Sequence, residues 1–347
     1  MDISSVGGAK PRLKRVLVVG GYGLVGGWIV RLLRTTWDDV EVVIGGRRPE
    51  EGEALAKEYG ATLARIDTTD AEAGLVALGP VDLVVAAVQD PDDDLLRAAL
   101  RAETAHIGIV RKADNLGPTA VLATDLARRP AMVMGHWQAG AATFAALETA
   151  REFGRVERVE LAALFDPADP AGQMSTQDSE SFFTRALMRA DGHWKWVTPK
   201  DAVRMVGRDG EQPFGAQPMG VLDVPAVVAA TGAPHVRFDI GTGESAGTSS
   251  GGTASHEIFV DMWGEDTRGH PLARRTTVSD ARGQAHLTAL GALIGIERVL
   301  GLDDGEPLPA GLALPEKAVD SSYAVDRLRH FGVTVTTDPL PSSRTPL

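Results

Sequence analysis

Residues Arg15 to Gly26 read RVLVVGGYGLVG, and this stretch decides the fold. Val16 to Val19 is continuously apolar, the pattern of a strand buried on both faces of a parallel sheet. Glycines follow where such a strand must turn. Gly21, Gly23 and Gly26 give G-x-G-x-x-G, while Gly20, Gly23 and Gly26 give G-x-x-G-x-x-G, so the register is open by one glycine. In either register one glycine allows the tight turn, Gly23 lets a pyrophosphate approach the backbone, and Gly26 lets the following helix pack against the strand. The helix predicted from Leu24 to about Arg34 aims its free N–H groups and positive dipole end at the phosphate. A plain connecting turn is the alternative. The strand before, the helix after and a second strand at the right distance favour a dinucleotide loop of Gly20, Gly21, Tyr22, Gly23, Leu24, Val25 and Gly26.

Outward from this loop the chain alternates. Val40 to Ile44 reads as a second strand and Pro49 to Tyr59 as a helix, with Pro near its start and Gly60 just past its end. Thr62 to Asp67 reads as a third strand, Val81 to Val88 as a fourth, Ala105 to Val110 as a fifth and Ala131 to Met134 as a sixth. Helices are expected over Asp92 to Glu103, whose first turn carries three aspartates, and over Pro118 to Arg129. Strand and helix in alternation predict a doubly wound parallel sheet, of Rossmann type, over residues 1–140.

The texture then changes. Ala141 to Phe153 is helical and stops at Gly154, after which strands of period two predict a second, α+β domain, for substrate or dimerisation, over 141–283. His235 to Ile240 alternates, with Val236, Phe238 and Ile240 on one face and His235, Arg237 and Asp239 on the other, so it is expected to be half exposed. Glu257 to Trp263 and Arg274 to Val278 read similarly. Gly241 to Thr253, GTGESAGTSSGGT, predicts a hairpin loop or a mobile flap. SESFFTRALMRA reads as helical and leads into GHWKWV, a dense aromatic group suited to a substrate wall or a dimer contact. Gln284 to Leu300 is apolar on nearly every side and ends at Gly301, which predicts a helix buried between the domains. Residues 284–347 go on to a helix near Tyr323 to His330 and then a short VTV strand.

Composition narrows the function. Thirty-five Lys and Arg against 47 Asp and Glu give a net charge of −12, which opposes nonspecific attraction to nucleic acid or anionic membrane. The absence of cysteine removes disulfides, thiolate metal sites and a cysteine nucleophile. The eight histidines show no metal-ligand spacing, no window reaches a membrane span, and Met1 to Lys14 lacks the apolar core of a signal peptide. The expectation is a cytoplasmic protein acting on a small molecule, as a homodimer.

A fold of this kind that selects NAD carries an acidic residue at the end of its second strand. Here IGGRRPE places Gly45 and Gly46 there, followed by Arg47 and Arg48, a pair suited to a 2′-phosphate and to stacking on adenine. NADP is therefore favoured, with NAD the alternative. Asp67, at the end of the third strand, and Ala86, Ala87 and Val88, at the end of the fourth, complete the expected cofactor contacts.

The chain resembles the saccharopine dehydrogenase-like family in GGYGLVG, GRRPEEGEALA, VDLVVAAV and LLRAALRAETAHIGIV, and again in AHLTALGALIGIERVL and GLALPEKAVDSSYAVDRLRHFGVTV. The resemblance implies an NADP-binding domain, an inserted second domain and closing helices that return to the first. Two departures stand out. Ile107 and Gly108 replace an aspartate context after the fifth strand, and GHWQAG, Gly135 to Gly140, replaces a Gly-x-Asp-Pro-Gly turn after the sixth.

The expected activity is hydride transfer between NADPH and a carbonyl or imine carbon, with a nonenzymatic NADP(H) sensor as the alternative. Such chemistry needs a proton donor or polariser beside the reacting atom. His136 is the first candidate, with Gln138 able to hydrogen-bond and Trp137 able to wall the nicotinamide. Arg111, with Lys112, is placed to grip a substrate carboxylate. Asp223, His193 and Lys195 are further candidates.

Overall fold

The computed structural model describes residues 13–340 apart from 111–112, 114–115, 173–183 and 209. The first half is laid down as β1 (Lys14–Val19), α1 (Leu24–Thr36), β2 (Val40–Gly46), α2 (Glu53–Tyr59), β3 (Thr62–Arg65), α3 (Ala71–Leu78), β4 (Leu83–Ala86), α4 (Asp94–Arg101), β5 (Ala105–Gly108), α5 (Leu116–Leu126) and β6 (Pro130–Val133). After α6 (Ala141–Ala150) come β7 (Arg155–Phe165), β8 (Ala186–Ala190), β9 (His193–Val197), β10 (Arg204–Arg208), β11 (Glu211–Pro218), α7 (Asp223–Thr231), β12 (His235–Thr242), β13 (His256–Glu265) and β14 (Pro271–Asp280). The chain closes with α8 (Gln284–Leu300), β15 (Gly311–Ala313), α9 (Ser321–His330) and β16 (Thr334–Pro339).

Seven strands form a parallel sheet in the order β15-β6-β5-β4-β1-β2-β3, the doubly wound arrangement expected. Because successive side chains point to opposite faces, the apolar run of β1 feeds two cores at once. Val16 and Val18 pack with Val42, Ile44 and Val85 on one side, and Leu17 and Val19 with Val43 and Val84 on the other. Helix α4 begins later than the aspartate-rich sequence suggests, since Asp93 has φ of 60°. Its start is capped by Asp90, whose carboxylate accepts the N–H groups of Leu95 (3.1 Å) and Leu96 (3.0 Å).

The second sheet is mixed, in the order β10-β11-β12-β7-β13-β14-β16, with β8 and β9 joined beside β12. Only β12 and β7 pair in parallel among its described strands. Three expectations are corrected here. The helical reading of SESFFTRALMRA fails over its last residues, which form β8; the part from Ser179 to Phe183 lies outside the described residues. The reason is the turn Asp191–Gly192, whose φ values of 53° and 72° join β8 to β9 as a two-residue hairpin. Arg189 stacks on the directly opposed Trp194 across that hairpin. Second, Asp239 is fully buried rather than exposed, because Arg204 and Arg237 cover it and bond its carboxylate. Third, Gly241 to Thr253 is neither a bare hairpin loop nor a free flap. It carries a helical turn, Ala246–Ser249, tied down by Asp166, which accepts the N–H of Ser245 at 2.8 Å and its hydroxyl at 2.7 Å.

Helix α8 is buried along most of its length, as its sequence predicts, and ends at Gly301 in the left-handed region. It packs against α1 and against the turn that follows β6. The closing segment serves both sheets: β15 adds to the first beside β6, and β16 to the second beside β14.

Candidate functional site

The glycine loop after β1 has little room for side chains. Gly20 adopts φ of 80°, and a Cβ on it would lie 2.6 Å from the Val88 side chain and 2.7 Å from the Ala87 carbonyl. A Cβ on Gly21 would meet the Val18 carbonyl at 2.8 Å, and one on Gly26 would fall 2.1 Å from the Gly20 carbonyl. Gly23 is different. It precedes α1 with φ of −74°, and its nearest neighbour would be the Gly20 carbonyl at 3.1 Å. The left-handed turn thus falls on Gly20 and the tight packing on Gly26. Gly23 is left facing outward at the helix start, where Leu24 is exposed and Val25 half-buried.

The other cofactor candidates gather around this loop. Ala87 donates its N–H to Val19 at 2.9 Å, joining the ends of β4 and β1, with Ala86 buried at the last position of β4. The ring of Tyr22 fills the space over Gly46, where a Cβ would lie 2.4 Å from it, and its hydroxyl accepts the backbone N–H of Arg48 at 3.2 Å. The slot in which an acidic residue at the end of β2 would sit is therefore occupied by an aromatic ring. Arg47 and Arg48 are exposed beside it. Asp67 caps the next turn, accepting from Thr69.

The second cluster lies at the turn after β6. Gln138, Ala139 and Gly140 have φ of 51°, 47° and 100°, three left-handed residues in succession. A strained turn of this kind persists only where its surroundings hold it. Gly291 of α8 presses against it so closely that a Cβ there would lie 2.4 Å from the Gln138 carbonyl. From the second domain, Asp223 accepts the N–H of Trp137 at 2.7 Å and the hydroxyl of Thr143 at 2.7 Å. Burial raises the Asp223 pKa, with nearby His136 opposing the shift.

Trp137 and Gln138 are both bound to His256. The indole N–H, a donor only, lies 3.1 Å from His256 Nε2, and the Gln138 amide nitrogen lies 3.0 Å from the same atom. His256 Nε2 is therefore the acceptor and its proton sits on Nδ1. Burial pulls its pKa down to about 4, with Asp280 acting in the opposite direction, and keeps the ring neutral. The Gln138 side-chain oxygen accepts from Thr288 of α8. His136 is buried, with Nε2 3.4 Å from Glu316 Oε2 and Nδ1 without a hydrogen bond among the described residues. A second buried pair, Asp280 and His286 at 2.6 Å, stands at the start of α8, where the His286 ring meets Trp28 of α1 edge to face.

His136, Gln138 and Asp223 thus come together, with both polar groups of Gln138 engaged inside the protein. His193 and Lys195 do not join them: both lie exposed on β9, and Lys195 pairs with Asp191 at 3.0 Å. Arg111 and Lys112 lie outside the described residues. His256, Thr288 and Glu316 were not singled out from the sequence. They arrive from 118 to 150 residues beyond Gln138 in the case of His256 and Thr288, and no local pattern marks them. Among the described residues no cluster of acidic and histidine side chains fits a metal ion, and no helix is long and apolar enough to cross a membrane.

No protein-family profile and no curated protein sequence matches the chain. Solved structures do. The chain is similar to apo saccharopine dehydrogenase (L-Glu forming) from Saccharomyces cerevisiae, with TM-score 0.72 and 14% identity over 94% of this chain and 100% of that one. It is also similar to apo scyllo-inositol dehydrogenase from Lactobacillus casei, with TM-score 0.50 and 11% identity over 94% of this chain and 99% of that one. The chain shares the fold of that saccharopine dehydrogenase over 94% of its own length.

Proposed function

We propose that the protein is an NADP-dependent oxidoreductase that transfers hydride between NADPH and a carbonyl or imine carbon of a small amino or imino acid. The observation that carries this reading is the glycine cradle. Side chains are sterically barred at Gly20, Gly21 and Gly26, while Gly23 alone faces outward at the N-terminus of the 13-residue helix α1. That leaves backbone N–H groups and the positive helix end facing the place where a pyrophosphate fits. The nicotinamide, when bound, supplies or accepts the hydride. Gly20 to Gly26 hold the pyrophosphate, and Arg47 the adenosine side.

The turn after β6 positions the reacting end. His136 stands past the carboxyl end of its strand, where ligands of open α/β sheets lie, and carries a nitrogen with no partner among the described residues. In this reading that nitrogen holds the proton exchanged with the substrate, and Arg111 meets the substrate carboxylate. The burial of the His136 imidazole and the internal bonds of Gln138 favour a second reading, in which dinucleotide occupancy is sensed rather than turned over.

Following NADPH absorbance in the presence of a panel of 2-oxo acids, with and without amines, tests the choice. Oxidation of NADPH that is lost in His136→Ala supports the enzyme. Tight NADPH binding without turnover across the panel overturns it in favour of the sensor.

A further inference from the structure

Arg48, adjacent to Arg47 in sequence, is already engaged. Its Nη1 lies 2.8 Å from Glu51 Oε1, one helical turn on. Arg65 has the opposite character. It is the last residue of β3, exposed, and its Cα stands in register with Gly46 at the end of β2. Side chains at paired positions of neighbouring strands leave the sheet on the same face. The face of Gly46 is the one covered by Tyr22, since a Cβ there would strike that ring. Arg65 therefore emerges beside Tyr22, at the rim where the ribose of a nucleotide held by the glycine loop must lie.

Asp67 completes the arrangement. Its carboxylate is fixed by the Thr69 N–H at 3.2 Å and the Thr69 hydroxyl at 3.0 Å. Those bonds, followed by the fields of Arg47 and Arg65, lower its pKa and keep it charged. The two guanidinium groups are thus near enough to act on one carboxylate, and neither makes a hydrogen bond or ion pair of its own among the described residues.

We infer that Arg47 and Arg65, rather than Arg47 and Arg48, form the clamp for a phosphate monoester on the adenosine ribose, the 2′-phosphate of NADP. This assignment rests on the NADP reading above and names the residues that set it. Two cations around one carboxylate leave a net positive charge, which attracts a group of charge near −2 and does nothing for a bare hydroxyl. The planar fork of arginine suits phosphate oxygens, and β2 and β3 hold two such forks on neighbouring strand ends. Asp67, between them, is left to accept a ribose hydroxyl or the adenine amino group.

Calorimetric titration of NADPH, NADH, adenosine 2′,5′-bisphosphate and adenosine 5′-monophosphate into wild type, Arg65→Ala and Arg48→Ala tests the assignment. Arg65→Ala is expected to weaken NADPH and the bisphosphate by roughly tenfold or more, with NADH and the monophosphate nearly unchanged. Arg48→Ala is expected to leave the NADPH to NADH ratio as in wild type. Arg65 is exposed, and an unaltered melting temperature in Arg65→Ala confirms that the fold is intact. A wild-type preference for NADPH that survives in Arg65→Ala, or disappears in Arg48→Ala, overturns the clamp alone. A wild type that binds the two dinucleotides equally overturns the NADP reading and the clamp with it.

Discussion

The Asp223 carboxylate accepts the backbone N–H of Trp137 through Oδ2 and the hydroxyl of Thr143 through Oδ1, both at 2.7 Å. One side chain at the start of α7 thereby holds both the turn after β6 and the first turn of α6. Asp223 and Thr143 are sealed from solvent, and Trp137 is half-buried. Asp223→Ala leaves one buried and one half-buried donor without an acceptor, and a buried orphan of this kind costs about 1–3 kcal/mol. Urea unfolding is expected to show a loss on the order of 3 kcal/mol, with Asp223→Asn recovering part of it.

The glycine loop separates two kinds of defect. A valine at Gly23 meets only the edge of the Gly20 carbonyl, so Gly23→Val is expected to fold and to lose NADPH binding in calorimetry. An alanine at Gly26 would place its Cβ 2.1 Å from that same carbonyl, within the backbone itself. Gly26→Ala is expected to lower the melting temperature as well as to abolish binding. Normal binding by the folded Gly23→Val protein would show that the loop does not receive a pyrophosphate.

Gly291 supports the strained turn from below. The two carbonyls nearest a Cβ there, of Gln138 at 2.4 Å and Ala139 at 2.5 Å, belong to the backbone and cannot swing aside. Gly291→Ala is expected to destabilise the protein by about 1–3 kcal/mol, the range of overpacked cores, although alanine favours helix elsewhere. An unchanged unfolding midpoint would mean that α8 and the turn separate easily.

His256 gives stability a pH dependence of defined sign. Its folded pKa, about 4, lies below the ordinary 6.5, so between these values the unfolded chain takes up a proton that the fold refuses. Its contribution is complete above pH 6.5 and falls as pH drops toward 4, by on the order of 3 kcal/mol. His256→Leu is expected to be less stable than wild type at pH 7.5, because Trp137 and Gln138 lose their acceptor. The gap should narrow as pH falls from 6.5 to 4. A gap constant across that range would show that His256 is not held neutral.

The first sheet was legible because its determinants are local. RVLVVGGYGLVG states strand, turn and helix within twelve residues, and the burial of β1 on both faces follows from its unbroken apolar run. The β8–β9 hairpin was equally local, since Asp191–Gly192 between RALMRA and HWKWV is a two-residue turn signal, but the helical spacing of the residues before it competed. Asp239 was misplaced for another reason. Alternation shows which face a residue occupies, while the covering of that face by Arg204 from β10 is a tertiary event. The cluster around Gln138 is the extreme case. His256 and Thr288 reach it from 118 and 150 residues away, and Glu316 meets His136 after the chain has crossed the second sheet.

The division of the closing segment between the sheets governs the order in which the molecule can be completed during synthesis. β15 and β16 each form an outer strand, one in either sheet, and the last of them ends at Pro339. Until each is in place, the nascent chain carries β6 or β14 as the outer strand in its stead, with an open edge of the kind that invites pairing with other chains. Premature termination after α8 would strip an outer strand from both halves at once. Residues 311–339 therefore complete two structures, and their loss would make β6 and β14 the outer strands in place of β15 and β16.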